Sequence, residues 1–162
     1  MSENDSISSL IDAYKIGDMS LTGFDDAFWL VMSDKVGNPH DLDPASPVAL
    51  YYASRYMEWD VANGGFSQAA YNIPDLFALA AAGYRAMNLN AAADLIDKAA
   101  GLADNERKGF TASTIGKLFQ QFSESKLAGL DAQLDRAGWW ATEQRVGYAI
   151  QHRKVFELLD RS

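Results

Sequence analysis

The sequence predicts an all-α protein: a single-domain, irregular bundle of about seven to nine helices with no significant sheet. Two observations favour this class. Apolar residues recur at helical spacing along nearly the whole chain, and no window alternates apolar and polar residues strictly enough for a half-buried strand. The chain has 162 residues, of which 48% are hydrophobic, so it is long enough to bury a substantial core. We expect residues 1–162 to form one domain, with residues 1–6 loosely held.

The first third of the chain predicts helices over about residues 7–16, 20–36 and 47–62. Gly17 follows the first helix and Gly37 follows the second, where a glycine commonly ends a helix. Ser46 and Pro47 precede the third helix as an N-cap and a proline at the first helical position. Asn63-Gly64 ends that helix, because both residue types tolerate positive φ.

The remaining chain predicts helices over residues 66–72, 74–87, 91–103, a stretch from Thr111 or Ser113 to Phe122, 127–134 and 142–159. The short break at residues 88–90 indicates that its two flanking helices are antiparallel. Gly138 marks a corner, and Thr142 is the predicted N-cap of the last helix. The adjacent Trp139 and Trp140 cannot both face inward on one helical stripe.

The charge of the chain is acidic and unevenly distributed. The net charge is −8, and residues 1–44 carry −7 of it through nine acidic residues and two lysines. Direct binding to nucleic acid needs the opposite sign, because lysine and arginine contacts to phosphate supply most non-specific affinity. We therefore expect no direct nucleic-acid partner and favour a basic protein as the partner.

Seven aspartates in this acidic segment form a candidate interaction surface: Asp12, Asp18, Asp25, Asp26, Asp34, Asp41 and Asp43. A domain of this length is about 40 Å across, and B-DNA presents roughly 24 phosphates over that distance, of which a bound protein meets about half. A surface that imitates DNA, which is the role implied by the family resemblance described below, therefore needs about ten carboxylates on one face. The nine acidic residues of this segment are close to that number.

The sequence offers little chemistry for catalysis or for metal binding. It contains no cysteine, and its histidines, His40 and His152, are far apart, without the local ligand cluster that zinc requires. Asp41-x-Asp43 lacks the glycine and glutamate of a calcium loop. We expect no metal, no cofactor and no catalytic residue, and we predict that the protein is not an enzyme.

Other weak signals have ordinary interpretations. Ser67 lacks the glycine and the preceding strand of a nucleophile elbow. Glu58, Asp60 and Asp75 could pair as catalytic carboxylates, but helix caps or surface acids are the favoured interpretation. No stretch has the length and apolarity of a membrane span, and the first residues lack a signal-peptide pattern. These observations predict a cytoplasmic protein that does not enter the membrane.

The most particular segment is a tight corner between two helices. Its candidate residues are Asp60, Asn63, Gly64, Gly65, Phe66, Gln68 and Asn72. In one interpretation the glycines make the turn, the phenylalanine anchors it and the amides satisfy helix ends. In the other, the amide side chains line a pocket for a small ligand or a peptide.

The run Asp60-Val61-x-Asn63-Gly64-Gly65-Phe66-x-Gln68-x-x-x-Asn72 resembles the signature of a bacterial DNA-mimic family. That family was long catalogued only as a domain of unknown function. Leu130-Asp131 and the spacing Tyr148-x-x-x-His152-x-x-x-Phe156 resemble its C-terminal pattern, so the resemblance covers about residues 45–156. Ala69-Ala70 replaces part of the usual aromatic run.

The resemblance implies an all-helical domain whose negatively charged surface occupies the DNA-binding face of a transcription regulator. It implies no catalytic residues. We therefore expect a non-enzymatic acidic binding protein that acts as a DNA mimic. A helical module that binds a small ligand or a peptide at the corner is the alternative, an enzyme is a distant third, and a homodimer stays open.

Overall fold

The computed structural model describes residues 6–108, 120 and 126–161. Every regular element in these residues is helical and none is a strand, which confirms the all-α prediction. The α-helices are α1 (Ile7–Lys15), α2 (Leu21–Val36), α3 (Pro47–Asn72), α4 (Phe77–Ala86), α5 (Asn90–Lys108), α6 (Ala128–Ala137), α7 (Thr142–Gln151) and α8 (Arg153–Phe156). Short 3-10 segments cover Pro39–Asp41, Pro74–Leu76 and Glu157–Arg161. The helix predicted to begin at Thr111 or Ser113 lies, except for residue 120, outside the described residues.

The chain divides into two compact units. The terminal unit comprises residues 1–52 and 141–162, and the central unit comprises residues 53–140. The division falls within α3, whose first residues belong to the terminal unit. That the whole chain behaves as one domain stays a prediction.

Aromatic rings fill the core of the terminal unit. Phe28 of α2 is fully buried, and its ring centroid lies 5.2 Å from the centroids of Phe24, Tyr51 and Phe156. These rings come from α2, α3 and α8, so segments from both ends of the chain share one core. Such ring pairs add about 0.5–1.5 kcal/mol each beyond the burial of their area.

Serine caps begin two helices of the terminal unit: the cap at Ser46 was predicted, whereas Ser20 was predicted to lie inside its helix. Ser20 Oγ accepts a hydrogen bond from the Gly23 amide, and Ser46 Oγ accepts one from the Ala49 amide, each at 3.1 Å. Thr142, however, is the first residue of α7 and not its cap. The predicted last helix is also interrupted at His152, where φ is −100° and ψ is 19°.

An ionic network joins the first helix of the terminal unit to its last segment. Asp160 accepts hydrogen bonds from the backbone amides of Ile7 and Ser8, at 3.0 and 3.2 Å. Arg153 forms ion pairs with Asp12 and Glu157. Its hydrogen bonds lower the pKa of both carboxyl groups. Because carboxylates stabilise a helix N-terminus, Asp160 stabilises the start of α1.

Helices α4 and α5 form the main helix pair of the central unit, and α6 packs against α5. The turn between α4 and α5 contains Asn88, which adopts a positive φ of 63°. This short connection agrees with the predicted antiparallel pair. Trp139 is buried whereas Trp140 is 61% exposed, which confirms that the two tryptophans do not both face inward. No helix in the described part of the chain combines the length and apolarity needed to cross a membrane.

Candidate functional site

The predicted corner is present as a kink inside α3, at two consecutive glycines. Gly64 has φ −163° and ψ 25°, and Gly65 has φ 69° and ψ −172°. Asn63 donates from its side-chain amide to the Trp59 carbonyl oxygen at 2.8 Å, at the end of the first half of the helix. The corner prediction is confirmed, and the positive φ lies at one of the two glycines predicted to make the turn. It belongs to Gly65, and not to Asn63 or Gly64.

The second half of α3 begins at Phe66, and a carboxylate from α6 caps it. The Phe66 amide donates to Asp131 Oδ1 at 2.9 Å. A Cβ atom at Gly65 would lie 2.8 Å from Asp131 Cγ and still closer to Oδ2. Glycine is therefore required at position 65 for two reasons: its positive φ and the close approach of Asp131. Burial raises the pKa of Asp131, although the bond from Phe66 opposes this shift.

Asp60 connects the two halves of α3 across the kink. Its Oδ1 accepts hydrogen bonds from Gln68 Nε2 at 3.2 Å and from Asn72 Nδ2 at 3.1 Å. Asp60 is fully buried, Gln68 is half-buried and Asn72 is exposed. Asp60 Oδ2 is also buried and has no hydrogen-bond partner. The structure thus brings together three of the seven predicted corner residues as one polar cluster.

Gly64 makes room for this cluster. A Cβ atom at Gly64 would lie 2.9 Å from Gln68 Cβ and closer still to Gln68 Oε1. Phe66 is fully buried and lies 6.3 Å from Phe77 between ring centroids, so it anchors the corner as predicted. Asn63 instead lies at an exposed position and bonds within its own helix. The corner is therefore held together by the contacts of five residues: Gly64, Gly65, Phe66, Gln68 and Asn72. One carboxylate oxygen of Asp60 has no hydrogen-bond partner.

Most of the predicted acidic surface lies in exposed positions, but one member does not. Asp25 is only 2% exposed. It accepts hydrogen bonds from Arg145 Nε at 3.1 Å and Nη2 at 2.9 Å, and from the Tyr51 hydroxyl at 3.0 Å. The assignment of Asp25 to the surface is wrong, because the carboxylate is enclosed in the terminal unit with its own arginine.

The other six candidate aspartates differ in whether a basic side chain already forms an ion pair with them. Their side chains are exposed, but Arg153 pairs with Asp12. No ion pair in the described residues engages Asp18, Asp34 or Asp41. The set of exposed candidates without Asp12 is Asp18, Asp26, Asp34, Asp41 and Asp43.

Along α2, two of these acids share one face. Thr22, Asp26, Leu30 and Asp34 recur every four residues and are all exposed. Asp26 and Asp34 are about 12 Å apart along the helix axis, given a rise of about 1.5 Å per residue. Leu30 lies between them and is 54% exposed. The outer face of α2 is therefore an acidic stripe that contains an apolar side chain.

A family model described as DMP19-like protein matches residues 44–152. The chain belongs to the DMP19-like family. The matched region nearly coincides with the predicted region of resemblance and contains the entire corner, including Asp131. No curated protein and no solved structure matches the chain.

The DMP19-like region and the acidic segment scarcely overlap. Residues 44–152 contain eleven acidic and nine basic residues, a net charge of −2, whereas residues 1–43 carry −7. The seven candidate acids all precede the matched region. Within the described residues, no group of three or more histidine, cysteine or acidic side chains is arranged to hold a metal ion.

Two residues of these sites were not among the predicted site residues. Asp131 was noted only within a family pattern, and its distance along the chain from Phe66 conceals the contact. Arg145 was not singled out, although it lies on one helical face with Ala141 and Ala149, both buried. A charged residue in register with buried alanines on a helix is a signal that could have found it.

Proposed function

We propose that the protein is a non-enzymatic acidic binding protein, a DNA mimic that occupies the DNA-binding face of a basic regulator. The observation that carries this proposal is the set of exposed carboxylates in the terminal unit, on a chain of the DMP19-like family. The terminal unit contains twelve acidic and six basic residues. Three of those bases, Lys35, Arg145 and Arg153, form ion pairs with acids of the same unit, which leaves few cations to offset the exposed aspartates.

The number of available carboxylates limits the size of the mimic. About ten are needed to represent the phosphates on one face of a 40 Å duplex. Four exposed candidates, Asp18, Asp34, Asp41 and Asp43, are engaged by no ion pair in the described residues, and they correspond to somewhat less than half of that length. We therefore expect a contact with one DNA-binding element of the regulator, and Leu30 within the α2 stripe would add apolar contact to it.

The experiment compares two double variants that remove the same charge. Asp34→Asn/Asp41→Asn removes exposed carboxylates from the proposed surface. Asp75→Asn/Asp104→Asn removes two exposed carboxylates from the central unit. A regulator captured on the immobilised protein would be identified and purified, and its dissociation constant would then be measured against the wild type and both variants.

We expect the first variant to weaken binding about fivefold, since each exposed ion pair contributes roughly 0.5 kcal/mol. The control variant should change the dissociation constant less than about twofold, and added salt should weaken binding by the wild type. In a mobility-shift assay, the wild type should displace the regulator from its operator DNA. A ternary complex of regulator, operator and this protein would contradict the proposal, as would equal losses in the two variants.

A further inference from the structure

Asp60 has a feature that its structural role at the corner does not explain. Both amide donors, Gln68 and Asn72, bond to the same oxygen, Oδ1. The other oxygen, Oδ2, is buried without a hydrogen-bond partner. An unsatisfied buried acceptor destabilises the folded protein, and the effect is larger when the group is charged. Such a group is rare in native structures and calls for an explanation, such as strain, a functional role, or a bound water or ion.

The other buried carboxylates of the described chain show what is missing. Asp25, Glu58 and Asp60 are the three acidic residues with exposed fractions of 2% or less. Asp25 has Arg145 and Glu58 has Arg55, whose Nη1 lies 3.4 Å from Glu58 Oε1. Asp60 alone has only neutral partners. Because buried charges are normally paired, the unpartnered oxygen of Asp60 has the chemistry to accept a hydrogen bond from a cation.

The Asp60 carboxylate is buried, but both of its amide partners reach the surface. Asn72 is exposed and Gln68 is half-buried. Gly64 is exposed and has no side chain that could cover the cluster. The two hydrogen bonds to Oδ1 are neutral and lie at the long end of the usual range for N–H···O bonds. The route proposed for a ligand to reach Oδ2 is a rotation of the exposed Asn72 side chain, which breaks only one of these two bonds.

We propose that Asp60 is the anchor of a binding site for an organic cation that carries N–H donors, either an ammonium or a guanidinium group. An N–H of the ligand would donate to Oδ2, and its positive charge would compensate the buried carboxylate. The carbonyl oxygens of Gln68 and Asn72 are the acceptors for its other hydrogens. The cation would come from a small amine or from a lysine or arginine side chain of another protein. This site lies in the central unit and does not depend on the DNA-mimic proposal.

Two salts of equal charge test the proposal. Methylammonium chloride supplies N–H donors, whereas tetramethylammonium chloride supplies the same charge without any. We expect methylammonium to raise the melting temperature of the wild type saturably, by about 3–5 °C at ten times its dissociation constant. In NMR spectra, the side-chain amide peaks of Gln68 and Asn72 should move with the same dissociation constant. Tetramethylammonium should produce neither effect.

Matched variants assign the effect to Asp60. Asp60→Asn keeps the shape of the side chain and removes its charge, and Asp104→Asn makes the same change at an exposed carboxylate of the central unit. The methylammonium shift should vanish in the first variant and persist in the second. If Asp60→Asn does not fold, the NMR titration of the wild type still decides the question.

The source of the cation is tested with blocked tripeptides. One tripeptide contains lysine, and the other contains acetyl-lysine as a control without the positive charge. The dissociation constants of both peptides are compared with that of methylammonium. Tighter binding of the lysine peptide than of methylammonium would identify a protein side chain as the ligand, and the reverse order would identify a small amine. If an ordered water satisfies Oδ2 in place of a cation, the probes should not bind at Asp60. The proposal is overturned if no probe moves the Gln68 and Asn72 peaks, or if they move equally in Asp60→Asn.

Discussion

The two units of this protein each bury an aspartate, and they treat it differently. In the terminal unit, Asp25 meets Arg145 through two hydrogen bonds and Tyr51 through a third. In the central unit, Oδ1 of Asp60 accepts hydrogen bonds from two neutral side-chain amides, and Oδ2 has no hydrogen-bond partner. The first carboxylate is compensated by the fold itself, whereas the second leaves part of its bonding capacity unused.

The difference separates two kinds of buried charge. A buried carboxylate paired with an arginine and bonded through both of its oxygens helps to hold helices together, and loss of the arginine leaves an uncompensated charge in the interior. An incompletely bonded carboxylate at a helix joint leaves one oxygen as an unused hydrogen-bond acceptor, which is the basis of the cation site proposed for Asp60. Asp25 and Asp60 both lie in helices that carry many apolar residues. Their sequence surroundings are therefore similar, and the difference between them is the set of groups that bond to each carboxylate.

The largest effect is expected from a substitution that breaks the ion pair between Asp25 and Arg145 in the terminal unit. Arg145→Met keeps an apolar stem of similar length but leaves Asp25 without its arginine. We expect a loss of about 3–5 kcal/mol in the free energy of unfolding, measured by urea denaturation, because removal of one partner strands the other charge.

Asp25→Leu combined with Arg145→Met is the control for this change. The double variant should be more stable than Arg145→Met alone, since neither charge is then buried. A loss below about 1 kcal/mol for Arg145→Met would show that the pair does not hold the terminal unit together.

A smaller effect is expected at the joint of the central unit. Gly65→Ala places a side chain at a positive φ and against Asp131, and we expect a loss of about 2 kcal/mol in the free energy of unfolding. Gly101→Ala in α5 is the matched control, because its Cβ atom would meet nothing within 4 Å. That control should gain up to about 1 kcal/mol, since alanine is the better helix former. Equal effects at the two glycines would contradict the proposed constraint.

The smallest expected effect is a pH dependence of opposite sign in the two units. In the terminal unit, the pKa values of Asp12 and Glu157 are lowered. The stabilisation from these carboxylates is therefore complete above their ordinary values of 3.8 and 4.5, and it is lost as the pH falls through the lowered values. In the central unit, burial raises the pKa of Asp131. Its ionisation therefore reduces stability as the pH rises from 3.8 through the raised value.

Carboxyl NMR titration measures these midpoints directly. Asp12 and Glu157 should titrate below their ordinary pKa values and Asp131 above its own. Arg153→Met should return Asp12 and Glu157 towards ordinary values and leave Asp131 unchanged. If the pKa values of Asp12, Glu157 and Asp131 all shift in the same direction, the predicted difference in pH dependence between the two units is wrong.

The sequence predicted the helices better than it predicted the sites, for physical reasons. Local signals set the helix boundaries, such as the serine caps at Ser20 and Ser46 and the glycine at position 37. The contact between Asp131 and Phe66 depends on how α6 meets α3, and no local pattern encodes it. Asp25 was misassigned because its acidic neighbours suggested a surface, although Phe28 and Met32 follow it at spacings of three and seven residues, on the buried face of α2.

The approach of Asp131 to Gly65 couples two positions that are sixty-six residues apart in the chain. A larger side chain at position 65 would displace the carboxylate that caps Phe66, and a larger acid at position 131 would need the space that the glycine leaves open. The pair should therefore covary among homologues. A relative that has replaced the glycine should also have changed the aspartate, and this correlation would reveal the joint in sequences for which no coordinates exist.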